Sequence, residues 1–544
     1  MKAILLGMTL AAGLCLPTAG GQDLLVQHVG GASLPTLGSA LLALDDVSGD
    51  GVPDYASAGP VEIQPGSQLP WGARLRVYSG MDGTQVYEHT ASGFPAGPLH
   101  VALAMLGDLT GDGRPEIALG IAEDFSPVAL VSRVEVLDGA SGNLLYALAG
   151  AQHPRFGWSV ENVGDVDGDG MSDLAVGAPG LFLGSFTTWG GMVSVFSGAT
   201  GTILAPPIHA GFFSVSYTMD VGRVLLHLPD FDPMLPGGVL ALGLRDAGRA
   251  EVLGLPSLTP VATVFGCPGS GPGLEPMGAA LADMGDIDGD GASELAGAGV
   301  QNTGTGPSSV RVSIVGGSGS TCLYALNVPG SLGTSPALAA LDDQDGDGIR
   351  DLAVGAPYQV HLFSGATGSA MGTLPAGPPA TEVQVVGLGD LTGDGRGEIL
   401  VGYAGAGLLQ VWTLEPITPE VENLGSGFAP GPLVPSLQAA LPLLGSTWTP
   451  FLSAAVPFSS GLLVVAPGPA VSTVLPSGPT VYPDLSRVSE WVILPFSTDI
   501  AGAVSFPFYL PFDFRLAGTE VILQAWFPAG GPSTTNGVRV RLGL

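Results

Sequence analysis

The stretch "GDVDGDGMSDLAVGAP", residues 164–179, decides how this chain is read. Asp165, Asp167, Asp169 and Asp173 stand close together, and an apolar run of strand character follows at once. Two bare carboxylates about 4 Å apart repel by roughly 1 to 4 kcal/mol, depending on local dielectric. A chain that crowds them beside a segment it must bury is expected to neutralise them with a cation. Asp165, Asp167 and Asp169 take positions 1, 3 and 5 of a turn, Met171 offers a backbone carbonyl at 7, and Asp173 takes position 9. Calcium accepts about six to eight hard oxygen ligands in an adaptable shell, whereas magnesium prefers a tight octahedron that keeps water. Gly170, at position 6, permits the positive φ such a turn needs.

The pattern recurs. Equivalent sets are Asp46, Ser48, Asp50, Val52 and Asp54; Asp108, Thr110, Asp112, Arg114 and Glu116; Asp286, Asp288, Asp290, Ala292 and Glu294; Asp343, Asp345, Asp347, Ile349 and Asp351; and Asp390, Thr392, Asp394, Arg396 and Glu398. With the opening stretch these make six candidate calcium loops. Those from Asp165, Asp286 and Asp343 carry four carboxylates; the others carry three and a hydroxyl, and weaker binding is expected of them. Solvated acidic turns are the competing reading, and six copies with one spacing oppose it. The EF-hand shares the early spacing, but its glutamate at position 12 is here Val176, inside the apolar run. A seventh copy, "LPDFDPMLPGGVLALGL", has Asp230 in first place and has lost the acidic loop, so no metal is assigned to it.

First aspartates at 46, 108, 165, 230, 286, 343 and 390 give steps of 62, 57, 65, 56, 57 and 47 residues, a period suited to a propeller blade with loop insertions. Apolar segments flank each loop, as in "ALLAL" from Ala40 and "VALAML" from Val101. A hairpin signature follows, as in "RLRVYSGMDGTQVYEH" from Arg74, "SRVEVLDGASGNLLYAL" from Ser132 and "GMVSVFSGATGTIL" from Gly191. One repeat therefore supplies four strands. The last repeat stops after "GLLQVWTLEP" from Gly407, while "DLLVQHV" from Asp23 precedes the first full unit, so the two fragments are expected to complete one blade. Closure of this kind removes an exposed sheet edge and favours a ring over an open solenoid.

Phe156-Gly157, the acidic loop and "GAP" at Gly177–Pro179 resemble the FG-GAP repeat, found in the N-terminal β-propeller of integrin α subunits and in many secreted bacterial proteins. The resemblance covers roughly residues 23 to 413; "GAP" returns at Gly355–Pro357, but the Phe-Gly element is clear only in the third unit. It implies an all-β, seven-bladed propeller, calcium in the loop joining the first and second strands of a blade, and partners on the opposite face.

The net charge of −32 argues against nucleic acid or an anionic membrane as partner. Lys2 is the only lysine, which removes Schiff-base chemistry and a P-loop. Residues 1–22 have the layout of a signal peptide, with a lipoprotein alternative at Cys15 that the bulky Leu14 disfavours. No later run is long and apolar enough for a transmembrane segment. A secreted or cell-envelope location follows. Cys267 trails an outermost strand and Cys322 precedes the next one, so the two are expected on opposite faces and unpaired. Residues 414–435 read as a linker and 436–544 as a β-sandwich.

No catalytic constellation is found. His100, His153 and His209 fall in connections between units and are expected at the surface, as are Glu123 and Asp124. Trp71, Phe182, Phe186 and Trp189, in long connections, are candidate contacts for an extracellular protein or glycan. The expected function is a calcium-binding adhesion or binding module; a polysaccharide lyase or hydrolase and a structural envelope component are the alternatives.

Overall fold

The computed structural model describes residues 23–30, 36–62, 71–94, 99–123, 131–150, 153, 155–182, 188–189, 191–209, 221–232, 235, 237–268, 277–301, 309–317, 321–329, 336–357, 359–378, 382–414, 420–424, 436–439, 447–453, 460–467, 473–474, 480–481, 483, 492–499, 503–509, 520–527, 533–535 and 537–541. The signal-peptide reading at 1–22 lies outside them. Two compact units result, Met1–Asp390 with Arg396–Leu414, and Leu391–Gly395 with Glu415–Leu544. No α-helix occurs among the described residues.

The first unit opens with β1 (Asp23–Val29). Sheet I then holds β2 (Ala40–Leu44), β3 (Asp54–Glu62), β4 (Trp71–Tyr78) and β5 (Gln85–Phe94), and sheet II holds β6 (Leu99–Met105), β7 (Ile117–Glu123), β8 (Arg133–Leu137) and β9 (Leu144–Ala149). Sheet III contains β10 (Ser159–Asn162) and β11 (Leu174–Ala178). A small hairpin of β12 (Leu181–Phe182) and β13 (Thr188–Trp189) intervenes before β14 (Met192–Phe196) and β15 (Ile208–His209) complete that sheet. Sheet IV is β16 (Val224–Leu228), β17 (Val239–Leu244), β18 (Arg249–Gly254) and β19 (Thr259–Phe265). Sheet V is β20 (Ala280–Asp283), β21 (Leu295–Gln301), β22 (Ser309–Val315) and β23 (Cys322–Pro329), and sheet VI is β24 (Ala337–Leu341), β25 (Asp351–Ala356), β26 (Gln359–Phe363) and β27 (Ala370–Thr373). Sheet VII is β28 (Val383–Gly387), β29 (Ile399–Tyr403) and β30 (Leu408–Thr413), with β1 paired antiparallel on β30 as its fourth strand. The hairpin expected after "VSVF" departs from its simple form: Ile203 makes a lone bridge to Phe196, and the fourth strand pairs Ile208 with Val193.

Every sheet thus runs first to fourth strand in chain order, except where β1 finishes the last. First strands touch in a closed cycle: β2 meets β6, β6 meets β10, then β16, β20, β24 and β28 follow, and β28 returns to β2. Second strands such as β7 and β11 are buried throughout, whereas fourth strands such as β9 are mostly exposed. This gradient explains the near-continuous apolar runs in the second strands. Six apolar clusters among the described residues each join two sheets, from I with II through VI with VII.

Four of the sheet boundaries share one close approach. A Cβ on Gly120 of β7 would lie 2.3 Å from the carbonyl oxygen of Gly157, and one on Gly177 of β11 would lie 2.2 Å from that of Gly222. Gly243 meets Gly278 in the same way at 2.4 Å, and Gly402 meets Gly38 at 2.5 Å across the seam between sheets VII and I. The receiving glycines hold φ of 85°, 82°, 92° and 90°, a region closed to most side chains. A buried apolar residue precedes each, namely Phe156, Val221, Met277 and Leu37. Phe-Gly is therefore one instance of an apolar–glycine pair that recurs at four boundaries.

At the VII–I seam His28 on β1 supplies a further link. Its Nε2 is 2.8 Å from the Tyr55 hydroxyl, and its ring stacks on Tyr78 at 4.0 Å. Cys267 and Cys322, expected apart, form a disulfide. The expectation failed because the chain leaving β19 crosses sheet V instead of staying at its own face: Cys267 N donates to Ser313 Oγ at 2.9 Å, and Arg311 Nη2 donates to Cys267 O at 3.1 Å. In the second unit, five strands lie in the spatial order Glu420–Leu424, Gly537–Arg541, Glu520–Phe527, Ser460–Pro467 and Val492–Ser497, and Ser533–Thr534 pairs with the third. The first of these falls in the segment read as linker. Phe496 packs edge-on against Phe506 and Phe527 at 5.1 and 5.5 Å.

Burial, with Arg76 adding to it, lowers the His28 pKa to about 4. The folded state therefore resists protonation, so stability from this group is whole above about pH 6.5 and is lost as pH falls from there toward 4. Replacing His28 with Phe should flatten the fall in melting temperature between pH 6.5 and 4 relative to the native chain, a difference of up to roughly 3 kcal/mol. Equal slopes in paired thermal melts would contradict the seam assignment.

Candidate metal loops

In sheet III the loop between β10 and β11 is organised by its own backbone. Asp165 Oδ1 accepts the N–H groups of Gly168 and Asp169 at 2.7 and 3.1 Å, and Oδ2 accepts that of Gly170 at 2.9 Å. Two glycines, not one, hold positive φ: Gly168 at 84° and Gly170 at 89°. Asp46 repeats the arrangement with Gly49, Asp50 and Gly51, and Asp108 with Gly111, Asp112 and Gly113. Asp286 does so with Gly289, Asp290 and Gly291, and Asp343 with Gly346, Asp347 and Gly348. In the last loop Gly393 and Gly395 hold the same pair of left-handed conformations, at 77° and 91°. The backbone N–H bonds, that of the fifth residue on foremost, keep the Asp108 and Asp343 carboxyls below the usual aspartate range.

Positions 3 and 5 continue the turn. Asp167, Asp288 and Asp345 each accept the N–H of position 5 at 3.1, 3.1 and 3.2 Å. The position-5 carboxylates Asp50, Asp112, Asp169, Asp290 and Asp347 each accept the N–H of position 7, from Val52, Arg114, Met171, Ala292 and Ile349, at 2.8 to 3.0 Å. Ser48 Oγ lies 3.3 Å from Asp46 Oδ1. Carboxylate oxygens gather in each: Asp46, Asp50 and Asp54; Asp108, Asp112 and Glu116; Asp165, Asp167 and Asp173; Asp286, Asp288 and Asp290; Asp343, Asp345 and Asp347 each place one oxygen per residue within 4.8 Å of the others. These acid-rich clusters can hold metal ions. An all-oxygen donor set, already pinned by backbone donors, fits a hard divalent cation.

Position 9 behaves differently. Asp54, Glu116, Asp173, Glu294, Asp351 and Glu398 are at most 1% exposed. Asp173 Oδ2 accepts Val166 N at 2.9 Å, while Oδ1 accepts Gly198 N at 3.1 Å from the turn between the third and fourth strands. Asp54 joins Ser48 N to Gly80 N, Glu294 joins Ile287 N to Gly317 N, and Asp351 joins Gln344 N to Gly365 N. Glu116 accepts Leu109 N at 2.6 Å. The turn glycine is required by proximity, since a Cβ on Gly198 would lie 1.9 Å from Ser172 O. Burial raises the carboxyl pKa of Asp173, Glu116, Glu294 and Asp351, and that of Asp54 to about 6. The spacing marked these residues as candidate ligands; their joining of loop to hairpin turn was not visible in it. In sheet VII, Thr392 and Glu398 are both buried, and Asp390, Asp394 and Arg396 lie on the same loop.

The other candidates separate. His100 lies within β6, not in a connection, and stacks on Trp158 at 4.0 Å; the Arg155 and Arg223 guanidiniums sit 5.2 Å from that indole. Burial and these arginines lower the His100 pKa to about 4. The cluster draws sheets II, III and IV together, and sequence reasoning missed it. His153 and Glu123 are buried, against expectation, because Glu123 ends β7 on the same face as Ile121; His209 lies exposed in β15 opposite Met192. Trp71 opens β4, and Phe182 and Trp189 lie in the small hairpin. Phe186 and Asp124 fall outside the described residues.

Residues 156–196, from the buried Phe156 through the loop of sheet III to the end of β14, match the family model of the FG-GAP repeat. No helix among the described residues is long and apolar enough to cross a membrane.

Two substitutions in one loop separate its two jobs. Asp173→Ala strands buried N–H groups and should already cost about 2 to 4 kcal/mol in chelator, with a further loss in calcium from the missing ligand oxygen. Asp169→Asn, at an exposed turn position, should lower the melting temperature only when calcium is supplied. An Asp173→Ala chain as stable as the native one in chelator would contradict the joining role.

Proposed function

We propose that this FG-GAP repeat protein is an exported, calcium-fastened, seven-bladed β-propeller acting as a binding or adhesion module for an extracellular protein or glycan. The observation that carries the reading is positional: six carboxylate loops occupy the same place, between first and second strands, in sheets whose first strands form a closed cycle. The ligands would be positions 1, 3 and 5, the backbone carbonyl of position 7, and the side of position 9 that faces the loop. A bound ion supplies positive charge to a turn that otherwise holds three or four carboxylates against one another.

Extracellular modules bind calcium with dissociation constants of about 0.1 to 1 mM. In roughly millimolar calcium, linkage then gives about 0.4 to 1.4 kcal/mol per loop. Six such increments are comparable with the roughly 5 to 15 kcal/mol net stability of a domain, so the metal's role is to hold the ring. Export is supported by the disulfide, which persists in oxidising compartments, and by the layout of residues 1–22. The second unit is proposed as a β-sandwich.

Calorimetric titration of calcium into chelator-stripped protein should return close to six sites, with the loops from Asp165, Asp286 and Asp343 filling first. On a glycan and matrix-protein array the calcium-loaded protein should bind without turnover. New chain ends from a polysaccharide panel would overturn the binding-module reading, and a stoichiometry near zero would overturn the calcium reading.

A further inference from the structure

Sheet IV is the repeat without an acidic loop, and its boundary with sheet V carries a disulfide. Where the other loops place a buried carboxylate at the start of the second strand, sheet IV has Gly238 before β17. Its loop is joined to the hairpin turn by a backbone bond, Leu255 N donating to Gly238 O at 3.3 Å. The segment leans instead on its neighbour. Ser293 N, in the acidic loop of sheet V, donates to Asp230 O at 3.0 Å. Phe231, 1% exposed, packs in one cluster with Leu228 and Val239 of its own sheet and with Met277, Leu295 and Val315 of the next. The disulfide spans the same boundary, from Cys267 just after β19 to Cys322 at the start of β23, closing 55 residues.

We propose that the Cys267–Cys322 disulfide is the fastener of sheet IV, standing in for the acidic loop this repeat lacks, so that the ring is held by calcium at six sheets and by a covalent bond at the seventh. The proposal rests on the calcium reading above. A cross-link restrains the opened chain whatever the divalent ion concentration, which is what a sheet without its own ion needs. Phe231 fills the space inside, and the disulfide ties the outer strands. Sheet IV should then respond to thiols and ignore chelators, while sheets I, II, III, VI and VII do the reverse.

Hydrogen exchange read by mass spectrometry on the full chain tests this in calcium, in chelator, with dithiothreitol, and with both. Dithiothreitol transfers two electrons to the disulfide, leaving two cysteine thiols and the reagent's cyclic disulfide; alkylation confirms the product. In calcium, reduction should speed exchange at least about tenfold in β16–β19 and β23 and leave sheets I, II and VII unchanged. With the disulfide intact, chelation should speed exchange in sheets I, II, III, VI and VII and spare sheet IV. Unchanged exchange in sheet IV on reduction, or loosening of sheet IV by chelator to the same degree as the others, overturns the proposal. Chelation without effect on any sheet overturns the calcium reading together with the substitution; the reduction arm separates that result from failure of the disulfide's own role. Because reduction acts on folded native protein, the test stands even if a Cys267→Ser, Cys322→Ser chain fails to fold.

Discussion

Carboxylates held by backbone N–H groups are the interaction on which the rest of the first unit depends. In five of the acidic turns the first aspartate accepts three donors of its own backbone, which orders the loop from within. Its last carboxylate is buried and, in sheets I, III, V and VI, reaches the turn between third and fourth strands, so the inner and outer halves of a sheet share one group. The exposed carboxylates between these two anchors are left facing one another. Such clusters can hold metal ions, and ordering the carboxylates beforehand lowers the cost of doing so.

Between sheets the governing constraint is steric. A second-strand glycine lies against the backbone of a left-handed glycine ahead of the next sheet, as Gly177 does on Gly222, and the same pairing of Gly402 with Gly38 closes the seam where the first unit's first and last strands meet. A closed sheet cycle is weakest where its first and last strands meet. Here they are secured three ways: by the β1–β30 ladder, by the glycine contact, and by His28 stacked on Tyr78. The FG-GAP pattern is thus legible as physics, an apolar anchor and a glycine on one sheet meeting a glycine on its neighbour.

Much of this was written locally in the sequence. The Asp-x-Asp-x-Asp-Gly spacing, the hairpin turns and the orphan strand at Asp23 are short-range signals, and the strands formed where they pointed except after Phe196, where the fourth strand begins only at Ile208. The apolar–glycine pairs at Leu37, Val221 and Met277 were legible too, but only once phenylalanine ceased to be required. Other features were hidden for a reason. The second bond of Asp173 runs to Gly198, the indole of Trp158 gathers His100 and Arg223 from two other sheets, and Cys267 meets Cys322 because the chain crosses sheet V. Each depends on how neighbouring repeats lie against one another, which periodicity along the chain does not encode.

If the turns fasten the ring by wrapping dications, melting temperature must follow calcium. The most direct measurement is the thermal melt of the disulfide-intact chain, stripped of metal and then returned to millimolar calcium. The account predicts a rise of roughly 5 °C or more on adding calcium and none on adding sodium chloride of equal ionic strength. Coincident melts in chelator and in calcium would contradict it.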